Sequence, residues 1–180
     1  MKFCETELAG AFIIDVEYFS DARGGFARTF CLDEFEAAGV PATVVQGATS
    51  FSAKAGTLRG LHYQLPPYSQ SKVVRVTSGA IYDVIVDLRP ESATFGRHIS
   101  VELSLENRRM LFIPKEFAHG FLTLADATEI EYLFDEVYEK SSEGGINFRD
   151  PDLGIEWPRS IEVIADRDLS LPRLADVALR

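Results

Sequence analysis

The chain has 180 residues, 46% of them apolar and 26% charged, with a formal net charge of -10 and 2 cysteines. That length and apolar content suffice for one packed core without disulfides or metals, so residues 1–180 are expected to form a single domain. The acid excess argues against a nucleic-acid surface, which needs clustered basic residues, and means that a small anionic ligand would have to be met by a few cations gathered in one cleft.

The opening segment, Met1-Lys2-Phe3-Cys4-Glu5-Thr6-Glu7, carries acids where a secretion signal would be apolar. No stretch approaches the ~20 apolar residues of a membrane span, so a cytoplasmic protein with no membrane partner is expected. Cys4 and Cys31 have neither a close pair spacing nor a disulfide framework, and reduced thiols are expected.

A first strand is expected over residues 12–19. A short helix follows over 33–38, stopped by Gly39. Strands are then expected over 44–50, in a segment ending near His62, and over 72–77. In residues 82–88, Tyr82, Val84, Val86 and Leu88 face one way, and Asp83 and Asp87 lie opposite with Ile85 between them. Residues 98–105 alternate with every odd position apolar, the pattern of a half-buried strand. Further strands are expected over 109–113 and 129–137, then a few helical turns near the C-terminus. Gly79, Pro90, Gly96 and Pro114 punctuate the series, and many short strands at close spacing indicate an all-β sandwich or barrel.

Of the three histidines, His62 and His119 stand out. Imidazole is the side chain best suited to exchanging protons near neutral pH. His62 lies in Arg59-Gly60-Leu61-His62-Tyr63-Gln64, and His119 in Phe117-Ala118-His119-Gly120-Phe121, whereas His98 reads as a solvent-side strand residue. A metal-binding barrel would want a His-x-His pair, but Gln64 takes the second place, so no metal site is expected. Arg59, His62 and Lys72 read as lying on adjacent strands, where cations beside a base suit a phosphate-bearing substrate or a developing oxyanion.

Over almost its whole length the chain resembles the dTDP-4-dehydrorhamnose 3,5-epimerase family of the cupin superfamily. The likeness runs through Asp21-Ala22-Arg23-Gly24, Leu58 to Gln64, Gln70-Ser71-Lys72-Val73-Val74-Arg75-Val76, Asp83 to Arg89, Ala118-His119-Gly120-Phe121, Asp150-Pro151, Trp157-Pro158 and Asp166-Arg167-Asp168. The resemblance implies a cupin-like double-stranded β-helix, or jelly roll, with short helices near the N- and C-termini. It also implies a homodimer that epimerises a dTDP-4-keto-6-deoxyhexose without a cofactor. A C4 ketone acidifies the hydrogens at C3 and C5, so a base can remove one and an acid on the opposite face can return a proton with inversion.

On that resemblance His62 matches the base, Asp168 the carboxylate that orients it, Lys72 the cation at the C4 oxygen and Tyr132 the acid on the far face. Arg23, Arg59, His119 and Arg167 match positions that hold the sugar or diphosphate, Tyr138 the aromatic that stacks on the base, and Gln46 and Glu143 nucleotide contacts. The chain departs from the family pattern at two nucleotide-contact positions, with Arg28 in place of Glu and Ala48 in place of Asn, so Arg28 is itself a candidate substrate contact. Glu116 replaces a Gly before Phe117, at a turn. Rival readings are a 3- or 5-monoepimerase, a 3,4-ketoisomerase, a non-catalytic sugar-binding cupin and a metal-dependent cupin enzyme.

Overall fold

The computed structural model describes residues 1–41 and 43–179. Two sheets face each other. The first runs in the order β1 (Lys2–Glu5), β2 (Phe12–Asp15), β10 (Met110–Ile113), β7 (Lys72–Ser78), β12 (Thr128–Phe134) and β5 (Gln46–Ser52). The second runs β13 (Glu143–Gly145), β6 (Thr57–Gln64), β11 (Phe117–Thr123), β8 (Ala80–Asp87) and β9 (His98–Ser104), and β14 (Val163–Ile164) joins β6 in parallel at Thr57 and Leu58. A separate hairpin pairs β3 (Phe19–Asp21) with β4 (Gly24–Phe26). From β5 to β13 the chain changes sheets at every connection except β8 to β9, which is the jelly-roll path.

The core fills the space between the sheets with Val74, Val76, Leu111, Ile113 and Ile130 from one and Ile81, Ile85, Leu103, Phe117 and Phe121 from the other. Each sheet is also covered on its outer face. Helix α1 (Leu32–Ala37) and the loop after it put Phe35 and Val40 on Ile14, Val73, Met110 and Phe112. The segment after β13 puts Ile146 and Leu153 on Leu61, Val84 and Val86. A short helix α2 (Asp166–Leu169) then returns the chain to β6. Among the described residues no helix is long and apolar enough to cross a membrane.

The expected strand over 12–19 divides in two. β2 ends at Asp15, and Phe19–Asp21 belongs to the hairpin, where the Asp21 carboxylate accepts the Arg23 backbone N–H at 2.9 Å and Gly24 takes φ 126°. Strand β8 is buried on both faces, with Asp83 and Asp87 each fully enclosed rather than facing water. Strand β11 is buried at all seven positions, so its sequence lacks the alternation by which a half-buried strand is recognised.

Glu116 adopts φ 62° immediately before β11, a left-handed conformation that costs a residue with a Cβ about 1–2 kcal/mol. Replacing Glu116 by glycine relieves this cost but gives the unfolded chain more freedom. The net expectation is a stabilisation of roughly 0.5–1 kcal/mol, read as a higher midpoint in calorimetry; a lower midpoint would contradict it.

Candidate active site

A cleft of about 640 Å³ is lined by strands of both sheets. Strand β6 contributes Arg59 and His62 and β11 contributes His119, while Lys72 on β7 and Tyr132 and Phe134 on β12 come from the opposite sheet. Arg167 and Asp168 arrive on α2. The expectation that Arg59, His62 and Lys72 share adjacent strands is therefore corrected. The chain crosses between sheets after β6, so Lys72 belongs to the opposite wall.

Two glycines make the histidine wall. β6 and β11 pair with His62 opposite His119, and the register shifts just beyond, between His119 and Phe121. At that point Gly60 has φ 120°, and a Cβ on it would stand 2.5 Å from Gly120 Cα. A Cβ on Gly120 would stand 2.7 Å from the Arg59 carbonyl oxygen. Only glycines allow so close a backbone approach, which explains the Arg-Gly and His-Gly pairs in the two motifs.

Asp168, 3% exposed, accepts from His62 Nε2 at 2.7 Å through one oxygen and from the Gly60 backbone N–H at 3.1 Å through the other. A carboxylate can only accept, so Nε2 carries the proton and Nδ1 keeps the basic lone pair. Arg167 Nη2 stands 3.2 Å from the same Nε2. Two donors face each other there, and the contact is a repulsive one held by the pairing of Arg167 with Glu143 at 2.7 and 3.1 Å. Burial holds the His62 ring below its ordinary value. Asp168 pulls the other way, and Arg167 and Lys72 reinforce the depression, so the ring is neutral at neutral pH.

Burial also brings half-buried Lys72 down to about 8, with Asp83 and Glu143 opposing the fall, so the ammonium form still dominates at pH 7. Tyr132 is shifted the opposite way. Burial, aided by Asp83, pushes its phenol well above the usual tyrosine range, and it stays protonated. Its ring stacks on Phe134 at 5.7 Å and meets His119 edge-on at 6.2 Å. His119 in turn is bonded through Nε2 to Asp83 at 2.6 Å.

The remaining candidates form a rim. The Tyr138 hydroxyl donates to Glu143 at 2.9 Å, its backbone N–H donates to the Gln46 side chain at 3.1 Å, and Glu143 holds Arg167 as described. Arg59 donates to the Phe51 carbonyl at 2.9 Å. Arg23 and Arg28 lie elsewhere: Arg23 is on the exposed hairpin paired with Asp21, Arg28 is paired with Glu34 at 2.7 Å, and neither lines the cleft. Ala48 is exposed on β5 opposite Tyr132. Gln64 is engaged with backbone, donating to the Tyr68 carbonyl at 2.6 Å and accepting from the Glu139 N–H at 2.7 Å. Among the described residues no three His, Cys, Asp or Glu side chains are grouped to hold a metal ion.

Asp83 beneath His119 escaped the sequence reading. The available signal was an acid between Ile81 and Ile85 on the core-facing side of a strand, where an unpaired charge is costly.

Proton transfer is the chemistry these groups can perform, and the cleft defines an acid–base enzyme on a cupin-like jelly roll. A family profile described as dTDP-4-dehydrorhamnose 3,5-epimerase matches residues 5–176. The chain is 42% identical to the dTDP-4-dehydrorhamnose 3,5-epimerase of Shigella flexneri, over 98% of this chain and 97% of that one. Its structure is similar to that of the dTDP-4-dehydrorhamnose 3,5-epimerase of Bacillus anthracis with TDP and pyrophosphate bound (TM-score 0.93, 42% identity, 96% and 98% of the two chains covered). It is similar too to the dTDP-6-deoxy-D-glucose-3,5-epimerase of Legionella pneumophila in complex with dTDP-4-keto-L-rhamnose (TM-score 0.93, 36% identity, 98% and 94% covered). The chain belongs to the dTDP-4-dehydrorhamnose 3,5-epimerase family.

Proposed function

We propose that this protein converts dTDP-4-dehydro-6-deoxy-D-glucose into dTDP-4-dehydro-L-rhamnose by exchanging protons at C3 and C5, with no cofactor. The observation that carries the reading is the His62–Asp168 pair, 2.7 Å apart, on one wall of a cleft whose other wall holds Lys72 and Tyr132. His62 removes the proton α to the ketone, and Asp168 steadies the imidazolium that forms. Lys72 stabilises the enolate at the C4 oxygen. Tyr132 delivers a proton from the opposite side, so the carbon inverts.

Arg59, His119 and Arg167 hold the sugar and diphosphate, and Gln46, Tyr138 and Glu143 receive the nucleotide at the rim. The protein acts in the cytoplasm as a homodimer. Supporting the dimer are the open edge of β5 and the exposed Phe19, Phe26 and Phe51, the first two 73% and 74% accessible. Because Arg23 and Arg28 lie outside the cleft of their own chain, their proposed nucleotide contacts belong to the dimer, made to the cleft of the other copy.

The reading is tested by supplying dTDP-4-keto-6-deoxyglucose in deuterated water and following the sugar by NMR. Deuterium at both C3 and C5 is expected. Label at one carbon would mean a monoepimerase, and label at neither, with folded protein, would overturn the proposal.

A pH profile probes the base itself. His62 must be neutral to accept a proton, so activity rises as pH passes upward through its pKa. Arg167→Gln removes a cation that lowers that pKa, and the acidic limb of kcat/KM should move to higher pH by a few tenths of a pH unit, alongside a loss of affinity. An unmoved limb would mean that Arg167 serves binding alone.

A further inference from the structure

Strand β8 carries two fully buried aspartates in very different surroundings. Asp87 receives five hydrogen bonds. Three come from Arg89, including its backbone N–H, and the others from the Ser92 and Thr94 hydroxyls at 2.6 and 2.7 Å. That carboxylate ties a loop together and is fully satisfied. Asp83, four residues earlier on the same strand and 0% exposed, has one: His119 Nε2 at 2.6 Å on Oδ1. Its Oδ2 has no hydrogen-bond partner among the described residues. A buried carboxylate oxygen left without a donor costs stability, so a purely structural aspartate is a poor account of the position.

What surrounds Asp83 is the floor of the cleft. His119 lies directly on it, Tyr132 packs edge-on against His119, and Lys72 feels Asp83 as the first of two attractive charges, the second being Glu143 on β13. The other titratable groups lining the cleft with Lys72 are Arg59 and His62 from β6, His119 from β11, Tyr132 from β12, and Arg167 and Asp168 from α2. We propose that Asp83 is a positioning residue that works from beneath the cleft, fixing the His119 ring through one carboxylate oxygen and leaving its buried negative charge to balance that of Lys72. The proposal rests on the epimerase reading for its catalytic meaning.

The consequence for chemistry is direct. An ammonium group moved out of water tends to lose its proton, and a nearby carboxylate opposes that loss. Lys72 can stabilise an enolate only while it is charged, and Asp83 keeps it charged at neutral pH without occupying the cleft. For His119, donation from Nε2 to Asp83 fixes the orientation in which the ring meets the substrate.

The test uses the full-length protein and reads Lys72 directly, without substrate. The reaction rate of the Lys72 amine with acetic anhydride is followed against pH by mass spectrometry. The wild-type midpoint is expected at about 8. Asp83→Asn should lower the midpoint by about one pH unit, and Asp83→Glu, which keeps the charge, should restore most of it. An unchanged midpoint in folded Asp83→Asn overturns the proposal.

A second measurement needs no variant and stands if Asp83→Asn fails to fold. In ¹⁵N-detected histidine spectra of the wild-type protein, His119 Nε2 should carry a proton; a ring protonated on Nδ1 alone overturns the positioning role. If the epimerase reading is wrong, no turnover appears while the Lys72 midpoint still responds to Asp83. If the epimerase reading holds and Asp83 is inert, turnover appears and the midpoint does not respond. With both correct, the alkaline limb of kcat shifts downward in Asp83→Asn, whereas a merely structural defect lowers kcat equally at every pH.

Discussion

Asparagine in place of His62 is expected to lower kcat by about 10²–10⁴-fold while KM changes little, because a positioned base contributes about that much and the groups proposed to hold the substrate remain in place. Asparagine is the informative choice. Its side-chain amide can still donate to Asp168, a buried carboxylate that otherwise would keep only the Gly60 N–H as a hydrogen-bond donor beside the Arg167 guanidinium 3.6 Å away. Loss of stability is thereby separated from loss of chemistry. Deuterium uptake at C3 and C5 should fall with turnover, since His62 is the proposed base for both exchanges. A variant retaining turnover within about tenfold of wild type, with an unchanged thermal midpoint, would place the base elsewhere.

Tyr132→Phe should divide two events that the wild-type enzyme couples. The ring stays, with its stack on Phe134 at 5.7 Å and its edge contact with His119 at 6.2 Å, and only the hydroxyl is lost. His62 can still remove a proton and return a deuteron to the same face, so label should continue to enter the sugar. Inversion requires delivery from the opposite wall, and epimerised product should fall by about 10²-fold or more. The measurement is the ratio of exchange to inversion in one NMR time course. Equal losses of both, or of neither, would show that Tyr132 is not the far-side acid.

Much of the architecture is legible in residue order because several strands have one wet face. His98–Ser104 alternates visibly, and Gly39, at φ 72°, follows the last turn of α1 where the stop was expected. Legibility ends where both faces are buried. β11 is uniformly apolar apart from His119 and Thr123, and periodicity cannot mark it as a strand. Nor does residue order say which sheet a strand joins. Arg59, His62 and Lys72 are close in sequence and read as lying on adjacent strands, but the crossover between β6 and β7 sets them on opposite sheets.

The site divides along the same line. Arg59, His62, Lys72 and His119 are legible from residue chemistry and Tyr132, Asp168 and Arg167 through family motifs, and the structure draws all seven into a single cavity. The glycine contact that shapes the wall and the acid beneath it depend on pairing register, which no single segment contains. Arg23 and Arg28 mark the other limit, because a contact proposed to cross between two copies leaves no trace in the packing of one.

The pairing of His62 with Asp168 spans 106 residues, and the carboxylate lies on one of the last elements of the chain. During synthesis the N-terminal strands leave the ribosome first and can begin to associate before α2 exists. For that interval the histidine sits on its strand without the group that orients it, and Gly60 lacks the acceptor that Asp168 supplies. The order of translation thus lets a nascent chain acquire most of its β-structure before the proposed base acquires the carboxylate that orients it.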